Sequence, residues 1–94
     1  MEQVTLNIVT PKGTFGPYLC DSVHLTICDD IDDKKGGCYG VRKGHAKALL
    51  ALDEGNIEGI SLQKIVVRGK SGCGFATIDK NVIVAVVESF LEIN

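Results

Sequence analysis

The chain has 94 residues, of which 45% are hydrophobic and 23% charged, and its net charge is −2. A chain of this length forms one domain and buries roughly 65% of the surface that its unfolded form exposes, which leaves little room for a deep catalytic cleft. This composition excludes disorder for the chain as a whole, and the lack of a basic excess or stripe argues against nucleic-acid binding.

The sequence predicts neither a targeting signal nor a membrane span. Met1-Glu2-Gln3 leads directly into an alternating strand pattern, without the basic and apolar regions of a signal peptide. The longest apolar stretch, Val82 to Val87, is far shorter than the ~20 residues that a helix needs to cross a bilayer. We therefore expect a soluble, cytoplasmic protein, and docking on a membrane complex through a protein partner stays open.

Two strands are predicted in the N-terminal third. Alternating apolar residues predict a half-buried strand over residues 3–10: Val4, Leu6 and Ile8. Pro11-Lys12-Gly13 predicts a turn. A second set of apolar residues at one parity predicts a longer strand over residues 18–28: Leu19, Val23, Leu25 and Ile27.

The sequence does not decide the secondary structure of the middle of the chain. Asp29 to Gly37 is predicted to be an exposed loop, in which acidic residues are followed by basic ones. Gly44 to Leu52 has good helix propensity and is followed by Gly55, a residue that commonly ends a helix. Because its apolar residues are nearly continuous, periodicity leaves both a single helical turn and a strand entry open.

Short strands separated by glycine turns are predicted in the C-terminal half. Apolar residues between Ile57 and Val67 indicate two strands, broken near Gly59 and Gly69, and residues 69–74 are predicted to be a turn.

A hairpin is predicted next, from Phe75–Ile78 and Val82–Val87 around Asp79-Lys80-Asn81, and residues 88–94 fit either a strand or the start of a helix. Six to nine short strands with little helix predict an all-β fold, a small β-sandwich or flattened barrel of short antiparallel strands.

Two motifs resemble ligand-binding loops without completing them. Gly69-Lys70-Ser71 matches the end of a phosphate-binding loop, but Lys64 stands where its first glycine is required, so we interpret the segment as a turn. The aspartates of residues 29–33 suggest a calcium loop, but Val41 stands where the bidentate glutamate is required. A solvated charged loop is therefore expected.

The four cysteines, Cys20, Cys28, Cys38 and Cys73, form no CxxC pair, which favours reduced structural thiols. Cys20, His24 and Cys28 cannot all bind one zinc ion on a strand, because four extended residues span roughly 13 Å. A Cys38 nucleophile with His45 as its base lacks a third orienting group in the sequence. We therefore expect no catalytic residue, no metal site and no cofactor.

Four segments carry a resemblance to a known family. Residues 6–13 are similar to an L-x-[IV]-V-T-P-x-G opening, and residues 37–46 to a G-[ED]-x-G-[IV]-x-P-G-H-A loop. Cys73 to Ile78 resembles a G-G-F-x-x-V strand, and Val82 to Val87 a terminal V-x-V strand. In this order, over residues 3–87, they resemble the ε subunit of F-type ATP synthases, although Cys38 replaces an acidic residue and Lys43 and Lys47 replace prolines.

The resemblance implies a non-catalytic β-sandwich domain over residues 1–87 with a tail at 88–94. It implies a place in the central stalk at the cytoplasmic face of the membrane, where the chain binds the γ subunit and the c-subunit ring and couples proton or sodium flow to ATP synthesis. The family commonly continues into a C-terminal helical hairpin that can block ATP hydrolysis. The sequence ends at Asn94 without it, so this chain is not expected to perform that inhibition.

Two interfaces are expected from this resemblance. The loop facing the rotor ring comprises Cys38, Tyr39, Gly40, Val41, Arg42, Lys43, Gly44 and His45. The strand Val82–Val87 is apolar at both parities, so Val82, Val84 and Val86 either lie in the interior or face the γ subunit. Two other functions remain open, a stand-alone β-sandwich interaction module outside the synthase and a thiol- or metal-dependent enzyme.

Overall fold

Ten β-strands and no helix are present in the part of the chain that the computed structural model describes, residues 3–27 and 37–93, which confirms the predicted all-β class. In chain order the strands are β1 (Val4–Thr10), β2 (Gly13–Cys20), β3 (Ser22–Ile27), β4 (Gly37–Arg42), β5 (Ala48–Leu52), β6 (Gly55–Ser61), β7 (Lys64–Ser71), β8 (Gly74–Asp79), β9 (Val82–Val87) and β10 (Phe90–Glu92).

One curled sheet folds over its own core to form two layers. The strand order is β10-β7-β6-β3-β5-β8-β9-β1-β2, and β4 pairs with β3. Strand β3 pairs with β6 over three residues but with β5 only at Ile27, so the sheet changes direction there. We call β5, β8, β9, β1 and β2 the first layer, and β4, β3, β6, β7 and β10 the second layer.

The far ends of the two layers meet through aromatic side chains. Phe15 of β2 packs edge-on against Phe90 of β10, with ring centroids 5.2 Å apart. The core between the layers consists of alternate apolar side chains from both, including all three alternating residues of β1: Val4, Leu6 and Ile8. The period-two pattern of β1 therefore predicted its buried face correctly.

One strand pair departs from the expected antiparallel arrangement. Strands β1 and β9 lie parallel, with pairs that run from Thr5–Val82 to Val9–Val86. Alternating hydrophobicity is the same in both kinds of ladder, so the sequence pattern carried no information on this direction.

The strand predicted over residues 18–28 is two strands separated by Asp21. The backbone N–H of Asp21 donates to the carbonyl of Ile60 at 2.7 Å, and its carboxylate accepts from the N–H of Leu62 at 2.8 Å. This switch of partners interrupts the ladder, and the buried parity changes across it: Leu19 is exposed, whereas Cys20 and Val23 are buried. The end of the prediction, Cys28, lies outside the described residues, as does the suggested calcium loop.

Neither predicted glycine break ends a strand. Gly59 lies within β6, where the register with β7 shifts between Gly59 and Ile60, and Gly69 lies within β7; both permit close packing. A Cβ atom on Gly59 would lie 2.6 Å from Sγ of Cys20, and one on Gly69 would lie 2.5 Å from the carbonyl oxygen of Leu91. The turn predicted over residues 69–74 is correspondingly short, since residues 69–71 end β7 and the chain leaves the strand at Gly72.

The two segments that the sequence left open are both strands. A turn at Lys43-Gly44 leads to β5, which pairs with β8, and residues 90–92 form β10, which pairs antiparallel with β7. No helix long and apolar enough to cross a membrane occurs in residues 3–27 and 37–93.

Candidate partner-binding surfaces

Strand β9 divides its apolar residues between two faces. Ile83, Ala85 and Val87 are buried in the core. The other row points outward: Val82 is 39% exposed, and Val84 and Val86 are half-buried. Val82, Val84 and Val86 therefore point away from the core, and this row is accessible from outside the molecule.

The neighbours of this row make the outer surface of the first layer largely apolar. Val86 pairs with Val9 of β1 on one side and with Phe75 of β8 on the other. Phe75 is 45% exposed and Leu49 of β5 is 71% exposed. We call the outward side chains of this surface the valine face: Val9, Leu49, Phe75, Val82, Val84 and Val86.

The outer surface of the second layer carries charged side chains beside exposed apolar ones, Ile65, Val66 and Leu91. Glu58 of β6 lies directly between His24 of β3 and Arg68 of β7 in the ladder, and Nδ1 of His24 is 3.9 Å from a carboxylate oxygen of Glu58. Arg42 and Lys70 extend the charged surface on either side. The two faces of the sandwich therefore differ in charge, since the valine face has no charged member.

The eight residues predicted to face the rotor ring form an edge strand and the turn that follows it. Val41 is buried and Tyr39 half-buried, whereas Cys38, Gly40 and Arg42 are exposed. Lys43 and Gly44 form the turn, in which Gly44 has φ of +86°, a value that favours glycine. Among the described residues, β4 pairs only with β3, so its other edge is open.

The side chain of His45 holds this turn to β4. Nε2 of His45 lies 2.7 Å from the hydroxyl of Tyr39, and Nδ1 lies 2.7 Å from the carbonyl oxygen of Ala46. Both ring nitrogens thus have hydrogen-bond partners that fix the loop, and neither of these partners is Cys38. This geometry agrees with a loop-fixing role for His45 and offers no support for a cysteine–histidine pair.

The turn at Gly44 is also hydrogen-bonded to the residue just before β9, at one end of the valine face. The N–H of Gly44 donates to Oδ1 of Asn81 at 2.8 Å, and the carbonyl of Asn81 accepts from the N–H of Thr5 at 2.9 Å. Asn81 directly precedes Val82, so the two predicted interfaces adjoin at one end of the molecule. The sequence analysis placed Asn81 in a turn but not in this contact, which depends on a separation of 37 residues.

The structure also places three further candidates of the sequence, namely a buried thiol, the metal-ligating residue types and the phosphate-loop-like segment. Cys20 is fully buried, and burial together with the nearby Asp21 raises the pKa of its thiol to about 11. No three His, Cys, Asp or Glu side chains gather in residues 3–27 and 37–93 in a way that would hold a metal ion. Ser71, the last residue of the phosphate-loop-like segment, is buried and donates to the carbonyl of Gly55 at 3.4 Å.

Comparison with known proteins gives a likeness in fold. No family model and no curated protein matches the sequence. A chain in the cryo-EM structure of Euglena gracilis mitochondrial ATP synthase (OSCP, F1 and c-ring) superimposes with a TM-score of 0.78 at 15% identity, over 96% of this chain and 53% of that one.

A second match is a chain in the cryo-EM structure of Tetrahymena thermophila mitochondrial ATP synthase (central stalk and c-ring), with a TM-score of 0.68 at 8% identity. It covers 93% of this chain and 64% of that one, so this chain spans between half and two thirds of the chains that it matches. The two-layer β fold described above is therefore shared with chains of rotary ATP synthase assemblies.

Proposed function

We propose that this chain is the β-sandwich domain of an ε-type subunit in the central stalk of a rotary ATP synthase, with residues 1–87 as the ε-type unit. Its role is non-catalytic. It binds the γ subunit through the valine face and the c-subunit ring through residues 38–45, and it transmits rotation between them. Association with the membrane runs through these partner subunits.

One observation carries this proposal: an apolar side surface adjoins a fixed end loop. The hydrogen bond from Gly44 to Asn81 joins the turn of residues 38–45 to the start of the valine row. A subunit held between two partners needs two surfaces in a constant relative position, and this hydrogen bond connects them directly. The likeness in fold to chains of ATP synthase assemblies supports the same role.

The test for the valine face is calorimetric titration of this chain with the γ subunit of the same organism. We expect one-to-one binding with a negative heat-capacity change, because apolar surface is buried. Val84→Glu should weaken binding at least tenfold, about 1.4 kcal/mol. Leu91→Glu is the matched control, since Leu91 is 70% exposed on the second layer and should leave binding unchanged.

The two surfaces can be tested separately. Lys43→Glu lies in the end loop and should alter binding to reconstituted c-ring while leaving γ binding intact. No binding to γ by a folded chain at tens of micromolar would overturn the stalk assignment and favour the stand-alone interaction module. A fast-alkylating thiol or a stoichiometric metal would instead favour an enzyme.

A further inference from the structure

We propose that the open edge of β7 over residues 64–67 binds an extended segment of another protein, with apolar residues and a carboxylate opposite Lys64, by adding it as a strand to the second layer. The proposal is independent of the stalk assignment, because this edge and the valine face lie on different layers.

The edge is open because β10 covers only part of β7. The two strands pair from Phe90–Ser71 to Glu92–Gly69, and the N–H of Ile93 then donates to the carbonyl of Arg68 at 2.7 Å. No strand among residues 3–27 and 37–93 continues this ladder along the rest of β7. A strand added beside residues 64–67 would therefore continue the line of β10 along β7.

A groove marks the same position. It is lined by residues of β7 and by the end of the β10 segment: Ile65, Val66, Val67, Arg68, Glu92 and Ile93. Ile65 is 53% exposed and Val66 39% exposed, although β-branched apolar residues are usually covered in a sheet. Open backbone groups and exposed β-branched side chains together fit a strand as the occupant.

The other open edges are less suited to a strand. Strand β2 carries Pro17, which has no N–H to donate, and β4 carries Gly40 and has no exposed β-branched residue. Natural proteins use proline to prevent strand addition at exposed edges. On β7 the open stretch contains two exposed β-branched residues between two positively charged ones, Lys64 and Arg68.

These charges determine the chemistry of the occupant. Arg68 lies opposite Glu58 in the β6–β7 ladder, but the carboxylate of Glu58 is 3.9 Å from Nδ1 of His24, so Arg68 is also open to a carboxylate on the incoming strand. Glu92 also lines the groove, but it pairs with Gly69 and therefore lies at the end of the groove away from Lys64. Lys64 lies opposite Ser61 and is exposed, so a carboxylate on the incoming strand would complement it.

The same charges disfavour a second copy of this chain. An antiparallel two-fold pairing centred on Val66 would place Lys64 directly opposite Arg68 of the other copy. Like charges at directly opposite positions destabilise a strand pair. The geometry therefore points to a different protein, whose extended segment need not repeat this pattern.

The experiment is a titration of the ¹⁵N-labelled chain with a blocked seven-residue peptide of alternating valine and glutamate. Saturable shifts should appear at the amides of residues 64–68, with slower hydrogen exchange there. A valine–lysine peptide of equal length should bind at least tenfold more weakly, and Lys64→Glu should reverse this preference. Leu49→Glu, on the valine face, should change neither result.

Two further peptides test the mode of binding. N-methylation at alternate residues of the valine–glutamate peptide blocks one edge of its strand, so one methylated form should lose binding and the other keep it. Absence of shifts at residues 64–68 at millimolar peptide would overturn the proposal. Equal binding of both methylated forms, or self-association of the chain through the same amides, would overturn it as well.

Discussion

The hydroxyl of Tyr39 and Nε2 of His45 lie 2.7 Å apart, within hydrogen-bond distance. The carbonyl of Ala46, 2.7 Å from Nδ1, can only accept, so Nδ1 donates to it. The rings also pack edge-on with centroids 5.6 Å apart. The end loop is therefore fixed by one side chain that contacts both β4 and the residue after itself.

Tyr39→Phe should loosen this loop without removing the ring contact. We expect a loss of about 1 kcal/mol in unfolding free energy, since one hydrogen bond is removed. Amide hydrogen exchange of residues 44–47 should become faster. Tyr18→Phe is the control, because it removes a half-buried phenol on the other layer, and it should leave exchange in the loop unchanged. Equal exchange in Tyr39→Phe and the unmodified chain would contradict the assigned role.

Substitution by alanine should destabilise the protein at Gly74 but have little effect on its stability at Gly40. A Cβ atom on Gly74 would overlap the carbonyl oxygen of Val86, a backbone atom that cannot move alone, so Gly74→Ala should cost about 1–3 kcal/mol or more. A Cβ on Gly40 would meet the ring of His24 at an ordinary 3.6 Å. Gly40→Ala should change stability by less than ~1 kcal/mol. Urea midpoints of the two variants provide the measurement.

Substitutions in the turn between β6 and β7 should stabilise the folded protein. Leu62 and Gln63 have φ values of +51° and +63°, which side chains other than glycine and asparagine rarely adopt. Leu62 is 76% exposed, so its side chain gains little from burial. The double substitution Leu62→Asn with Gln63→Gly should therefore raise the unfolding free energy by about 1 kcal/mol. An unchanged or lower thermal midpoint would argue against strain at this turn.

Thiol labelling should distinguish the buried Cys20 from the exposed Cys38 and Cys73. Cys20 is buried and its thiol pKa is raised to about 11, so it should resist iodoacetamide while the chain is folded. Cys38 and Cys73 are exposed and should react. Peptide mapping by mass spectrometry assigns each site, and a denatured sample serves as the control in which Cys20 also reacts. Early labelling of Cys20 in the folded chain would contradict its placement.

The same thiol predicts a loss of stability at alkaline pH. Its pKa rises from 9.0 to about 11 because the interior disfavours the thiolate, so the unfolded chain ionises first as pH increases. The contribution of this thiol to the free energy of unfolding is therefore fully present below pH 9. It is lost between pH 9 and 11, which lowers the free energy of unfolding by about 1–3 kcal/mol. Burial also raises the pKa of Tyr18, which acts in the same direction. Cys20→Ala should show a smaller decrease over this interval than Cys38→Ala.

Local patterns predicted most of the strands, whereas contacts between distant residues decided the rest. The alternation in β1 and the two apolar rows of β9 both correspond to real faces. The break at Asp21 could not be predicted, since it depends on Ile60 and Leu62. Gly59 and Gly69 look like strand ends in sequence because their close neighbours, Cys20 and Leu91, come from other strands.

For the candidate binding surfaces, sequence reasoning named residues but could not show their arrangement. The row of Val82, Val84 and Val86 was identified, and its outward direction required the three-dimensional fold. Phe75 and Leu49 were not connected to it, because their adjacency arises from pairing of β9 with β8 and of β8 with β5. The link from Gly44 to Asn81 was likewise invisible in a linear pattern.

The parallel pairing of β1 with β9 has a consequence for biosynthesis. The first strand finds its partner only after residues 82–86 have been made, so the first layer cannot be completed while the ribosome is still producing the middle of the chain. Until then, Leu6 and Ile8 lack one neighbouring strand and are exposed to other nascent chains. Such long-range closure slows folding, so aggregation during synthesis should depend more on the start of this sequence than on its exposed loops.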